Sequence, residues 1–144
     1  MKRLERDAER GDAVAQFNLG VVYDNRGDDN GYIGEDKRTE AIRWLLRAAK
    51  QGLPRAQIRL AQVYGEGPSA EKDALKACTW FLLAAAGELG ARREAAQSGY
   101  ERAARHLTVL DIARAHRRVL RWRPKIEPVP AVTGPELAPE RAPL

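Results

Sequence analysis

Gly11-Asp12-Ala13-Val14-Ala15-Gln16-Phe17-Asn18-Leu19-Gly20-Val21-Val22-Tyr23 returns as Gly52-Leu53-Pro54-Arg55-Ala56-Gln57-Ile58-Arg59-Leu60-Ala61-Gln62-Val63-Tyr64, with Gly, Ala, Gln, Leu and Tyr at matched places 41 residues apart. A period of that length is the signature of stacked supersecondary units, none of which can bury its apolar face alone. The chain is therefore read as a repeat protein. An open stack of such units presents a long surface that usually engages another protein.

The second half of each unit repeats as well. Ala41-Ile42-Arg43-Trp44-Leu45-Leu46-Arg47-Ala48-Ala49 recurs as Ala77-Cys78-Thr79-Trp80-Phe81-Leu82-Leu83-Ala84-Ala85 at an offset of 36. The five-residue difference falls between Tyr23 and Ala41. There, residues 24–35 form a polar, glycine-rich insertion that the second unit replaces with Gly65-Glu66-Gly67-Pro68-Ser69. The start of the chain keeps the longer offset through Leu4/Leu45, Arg6/Arg47 and Ala8/Ala49. Residues 2–10 are expected to form a charged half-helix over one end of the stack, polar on its outer side as terminal units require.

Closely crossing helices leave no room for bulk at the contact. Ala15, Gly20, Ala56 and Ala61 supply the small side of that contact, and Trp44 and Trp80 fill space between successive hairpins. Tyr23 and Tyr64 fall near helix ends, where a ring packs while its hydroxyl reaches water or backbone. Alternating runs of β-branched residues are absent, so the expected fold class is all-α. A chain of 144 residues, 44% hydrophobic and 31% charged, suits one thin, elongated domain.

These residues carry a resemblance. Ala15-Gln16-Phe17-Asn18-Leu19-Gly20 with Tyr23, then Ala41, Trp44, Ala48-Ala49 and Gly52, then Tyr64 with Gly67, then Trp80 and Ala84-Ala85, resemble the Sel1-like repeat, a relative of the tetratricopeptide repeat. Residues 107–122 resemble the terminal helix of bacterial members. Departures are Ala61 in place of a small Gly, a missing second glycine after Gly67, and the expanded first turn. The resemblance implies a right-handed α-solenoid of about two and a half helix-turn-helix repeats. Repeat one covers about 11–51, repeat two about 52–87 and a terminal helical hairpin about 91–122. Together they make a domain over 1–123, followed by a Pro-rich flexible tail over 124–144.

In that family the first helix of each repeat lines the concave groove. The implied groove positions are Val14, Phe17, Val21 and Asp24, then Arg55, Ile58, Arg59 and Gln62. Apolar side chains there would supply affinity, with Phe17 as anchor, while Asp24, Arg55 and Gln62 would select polar groups. Packing of Phe17 and Ile58 between repeats fits the same pattern equally well. The function expected is a non-catalytic scaffold or adaptor for another protein or peptide, with self-association through the exposed ends of the array as a further outcome.

Residues for chemistry are sparse. Cys78, the single cysteine, lies in a buried-looking helical pattern and reads as a small hydrophobe. His106 and His116 have no clustered carboxylate or cysteine, so neither a metal site nor a catalytic triad assembles. Phosphate loops and GxSxG, HExxH and paired CxxC patterns are absent. Asp28-Asp29-Asn30-Gly31-Tyr32-Ile33 copies the centre of a calcium loop. With Asp28 and Asn30 as the third and fifth positions, however, Arg26 and Lys37 stand where closing carboxylates belong. It reads as a solvated acidic turn. The chain is expected to be no enzyme and to hold no cofactor or metal.

Charge is concentrated late in the chain. Residues 88–125 carry ten Lys/Arg against four Asp/Glu, whereas residues 1–87 net +1. A helix is expected over about 91–106, and Thr108 is expected to cap the next, with Asp111 completing a capping-box-like start. Along that last helix Arg114, Arg117, Arg118 and Arg121 gather on one face. Val109, Ile112, Ala113, His116, Val119 and Leu120 are expected to form an apolar stripe opposite. The basic face supports an alternative function, binding of nucleic acid or an anionic surface. Trp122 is expected to dock on the final hairpin. No segment has the length or hydropathy of a bilayer span or an apolar leader. The chain is thus expected in the cytoplasm, or exported if a signal peptide was removed upstream of Met1.

Overall fold

The structure, a computed structural model, describes residues 2–25, 35–66 and 70–128. The acidic turn over 28–33 and the tail over 129–144 lie outside the described residues. Seven helices are present among those described: α1 (Lys2–Glu9), α2 (Ala13–Asn25), α3 (Glu35–Lys50), α4 (Pro54–Glu66), α5 (Ala70–Gly87), α6 (Gly90–Ala104) and α7 (Val109–Arg121). No strand occurs among the described residues.

Local chemistry sets the helix ends. Asp12 Oδ1 accepts a 3.0 Å bond from the Ala15 amide, capping α2. Helices α1 and α3 end at Gly11 and Gly52, with φ of +104° and +100°, a left-handed conformation open to glycine. Pro54 then occupies the first turn of α4, where its missing N–H costs nothing. Thr108 caps α7 by accepting from the Asp111 amide at 3.1 Å. The Asp111 carboxylate turns instead to Arg114 at 3.1 Å, so the capping box is only half made.

Packing follows the repeat. Helices α2 and α3 form one hairpin and α4 and α5 the next, joined by α3 against α4 and preceded by α1 against α2, so the fold is an all-α solenoid of helix-turn-helix units. Leu45, Leu60, Phe81 and the alanines at 48, 49, 56, 61, 77 and 84 make one continuous buried cluster. Ala8, Ala15, Leu19 and Trp44 close the N-terminal end. Two glycines permit the closest approaches. A Cβ on Gly20 would stand 2.7 Å from Leu45 Cγ, and one on Gly99 would stand 2.3 Å from Phe81 Cε1. Gln16 and Gln57, a repeat apart, are both buried and donate to the carbonyls of Ala8 and Ala49 at 3.0 and 3.2 Å. Each thereby adds a second donor to a carbonyl near the end of the preceding helix, beside the Gly11 or Gly52 amide.

The last unit departs from expectation in two ways. Helix α6 packs on α5 as a repeat should, but α7 packs chiefly on α5 as well. It meets α6 where His116 stands edge-on to Tyr100, with centroids 6.2 Å apart. Ala115 is fully buried, whereas Val109 is 85% and Leu120 76% exposed. The expected apolar stripe is therefore split, because α7 presents Ala115 with Ile112 and Val119 to the stack and leaves the adjacent apolar positions outside. The second departure is the tail. Its expected detachment from residue 124 onward fails over 124–128, because Pro124, Lys125 and Glu127 contact the ends of α1 and α3. Trp122, expected to dock on the final hairpin, leads into this segment and reaches the Gly52 turn.

Candidate partner-binding face

The expected groove residues lie on α2 and α4, which the structure sets side by side. Val14 is 46% exposed, and Phe17, Val21, Asp24, Ile58, Arg59 and Gln62 are half-buried. Two cross-helix ties join them. The exposed Arg55 guanidinium sits 5.4 Å from the Phe17 ring centroid. Arg59 Nε donates to Asp24 Oδ2 at 2.7 Å while its Nη2 reaches Asn25 at 2.9 Å. Asp24 and Arg59 thus satisfy each other, and Arg55 lies over an aromatic face. Phe17 and Ile58 also pack against the buried cluster, so they contribute to inter-repeat contact as well as to the surface.

Gln62 behaves differently. It lines a cleft of about 480 Å³ with Gly65, Ala74, Phe81, Gly99, Arg102, Ala103, Arg105 and His106, built from the C-terminal halves of α4 and α6, the residues just after α6, and α5. Arg102, Arg105 and His106 are exposed, and among the described residues none has an acidic partner. Phe81 and Gly99 form an apolar floor beneath these cationic and polar walls. The sequence reading passed over Arg102 and Arg105. The third unit lacks the Ala-Gln-Leu-Tyr signature that would have aligned α6 with α2 and α4.

The four arginines proposed as a basic face lie on α7. Arg114 is engaged by Asp111, whereas Arg117, Arg118 and Arg121 are exposed and unpaired among the described residues. Cys78 is fully buried, and burial pushes its thiol pKa up to about 11, which keeps it protonated and a poor nucleophile at neutral pH. Tyr64 is raised mainly by burial. Among the described residues no group of three His, Cys, Asp or Glu could hold a metal ion, and no helix is long and apolar enough to cross a membrane.

Comparison with known proteins bears on this architecture. The profile of the Sel1 repeat matches residues 13–53 and 54–88, which correspond to the two complete hairpins and together make up more than half of the chain. The chitin synthase regulator SKT5 of Saccharomyces cerevisiae is 36% identical over 81 residues, covering 56% of this chain and 11% of that protein. The chain therefore spans about a tenth of the length of this relative. No solved structure matches. Repeats of this kind generally mediate protein–protein interaction and are typically non-catalytic. With two tandem matches laid over two stacked hairpins, the chain belongs to the Sel1-repeat family.

Proposed function

We propose that the chain is a non-catalytic adaptor that binds a segment of another protein along the face shared by α2, α4 and α6. The observation that carries this reading is the Gln62 cleft, where Arg102, Arg105 and His106 surround an apolar floor without an acidic partner among the described residues. Such a cleft suits a partner that lays an apolar side chain on Phe81 and Gly99 and a carboxylate against the arginines. Phe17 and Ile58 would extend the contact along α2 and α4. The yeast relative, named a regulator, is in line with a role exerted on another protein.

The test is affinity capture with the purified chain beside two helicity-checked variants, Phe17→Ala/Ile58→Ala and Arg102→Ala/Arg105→Ala. A partner protein lost with both variants is the expected result. The second reading, an anionic-surface or nucleic-acid binder, is favoured by unpaired Arg117, Arg118 and Arg121 on α7. Steep loss of binding with salt, abolished by Arg117→Ala/Arg118→Ala/Arg121→Ala and indifferent to the groove variants, would select it instead.

A further inference from the structure

Residues 122–128 cross the turn edge of the stack as an extended segment. The Lys125 amide donates to the Lys50 carbonyl at 2.7 Å, filling one of the acceptors that the end of α3 leaves free. Two residues on, the Glu127 amide donates to Gln51 Oε1 at 3.1 Å. The Glu127 carboxylate is clamped: Arg47 Nη2 reaches Oε1 at 2.7 Å, while Arg47 Nε and Gln16 Nε2 reach Oε2 at 3.2 and 3.1 Å. Gln51 Nε2 braces the clamp through the Gly11 carbonyl and Gln16 Oε1, both at 2.9 Å. Glycines keep the track open. A Cβ on Gly11 would lie 3.0 Å from Glu127 Cβ, and one on Gly52 would lie 3.7 Å from both Trp122 and Pro124.

The receptor side comes wholly from α1, α2, α3 and their turns, and the segment brings what a linear peptide brings: two main-chain N–H donors, one carboxylate, one indole and prolines that favour extended backbone. Arg123, Pro124, Lys125, Ile126 and Pro128 are exposed, so little apolar burial holds the segment in place. We propose that the turn edge formed by Arg47, Gln16, Gln51 and the Lys50 carbonyl is a peptide-docking site for extended, proline-flanked segments bearing a carboxylate, and that residues 122–128 of the same chain occupy it as an exchangeable cis ligand. This site is separate from the α2, α4 and α6 face.

The experiment uses the full chain and a fluorescent peptide of residues 121–130. In Trp122→Ala/Glu127→Ala the site is vacated, and the peptide is expected to bind at least tenfold more tightly than to the native chain, where the tethered segment competes. Adding Arg47→Ala, or replacing Glu127 by Gln in the peptide, should remove that gain. Equal binding to native and vacated chains, or no binding to a vacated chain of native helicity, overturns the proposal. Should the double variant lose its fold, Glu127→Gln serves. Faster amide exchange at Lys125 by tenfold or more supports a carboxylate-held segment, and unchanged exchange rejects it.

Discussion

At Gly99 the missing Cβ is what lets α6 lie on Phe81, since an added carbon would stand 2.3 Å from the ring. Gly99→Ala should destabilise the fold by about 1–3 kcal/mol through overpacking, read as a lower urea midpoint. Adding Phe81→Leu should recover part of that loss, because the two sites share one contact. Gln57 acts by a different principle. It is buried, and its amide is a second donor to the Ala49 carbonyl, which the Gly52 amide also reaches at 3.0 Å, so Gln57→Leu should cost about 0.5–1.5 kcal/mol for the lost hydrogen bond. The same glutamine one repeat earlier has been drawn into the Glu127 clamp, so one matched position serves two purposes. Cys78 should stay silent to thiol reagents in the native state at pH 8 and react fully in denaturant, as its burial and raised pKa require.

Among the elements, the terminal segment is where pH enters. Hydrogen bonding from Arg47 holds the Glu127 carboxyl below its ordinary value, against the opposing effect of burial, with Gln16 adding to the lowering. A carboxylate with a depressed folded pKa stabilises the fold fully above its unfolded value of about 4.5 and loses that contribution as pH falls through the folded value. Residues 122–128 should therefore undock in acid. The native urea midpoint should fall more between pH 5 and pH 3 than that of Glu127→Gln, and a double-mutant cycle between Arg47 and Glu127 should give a coupling of about 1 kcal/mol. Helix α7 shows how an element can be legible and misplaced together. Its cap at Thr108 and its arginine face follow from local spacing, yet the residues it buries depend on its resting against α5.

For the whole molecule, stability in a stacked array is set by each unit and its neighbours. The central helices α3, α4 and α5 have neighbours on both sides, while α7 leaves Val109 and Leu120 exposed. Amide exchange should accordingly be slowest in α3–α5 and faster in α7. Sequence alone determined the repeat, the all-helical class, the small residues at crossings and the turn glycines, because these depend on chemistry within a few residues or on a pattern written twice. That the proposed groove positions fall on α2 and α4 follows from the same repeat pattern. Only the tertiary structure joined Asp24 to Arg59, opened the Gln62 cleft toward α6, laid α7 on α5, and brought Glu127 to Arg47, 80 positions away, and to Gln16, 111 away. No periodicity encodes such pairings. They arise because a stack returns distant helix ends to one edge, where free carbonyls and a buried amide select whichever donor and carboxylate the chain can deliver.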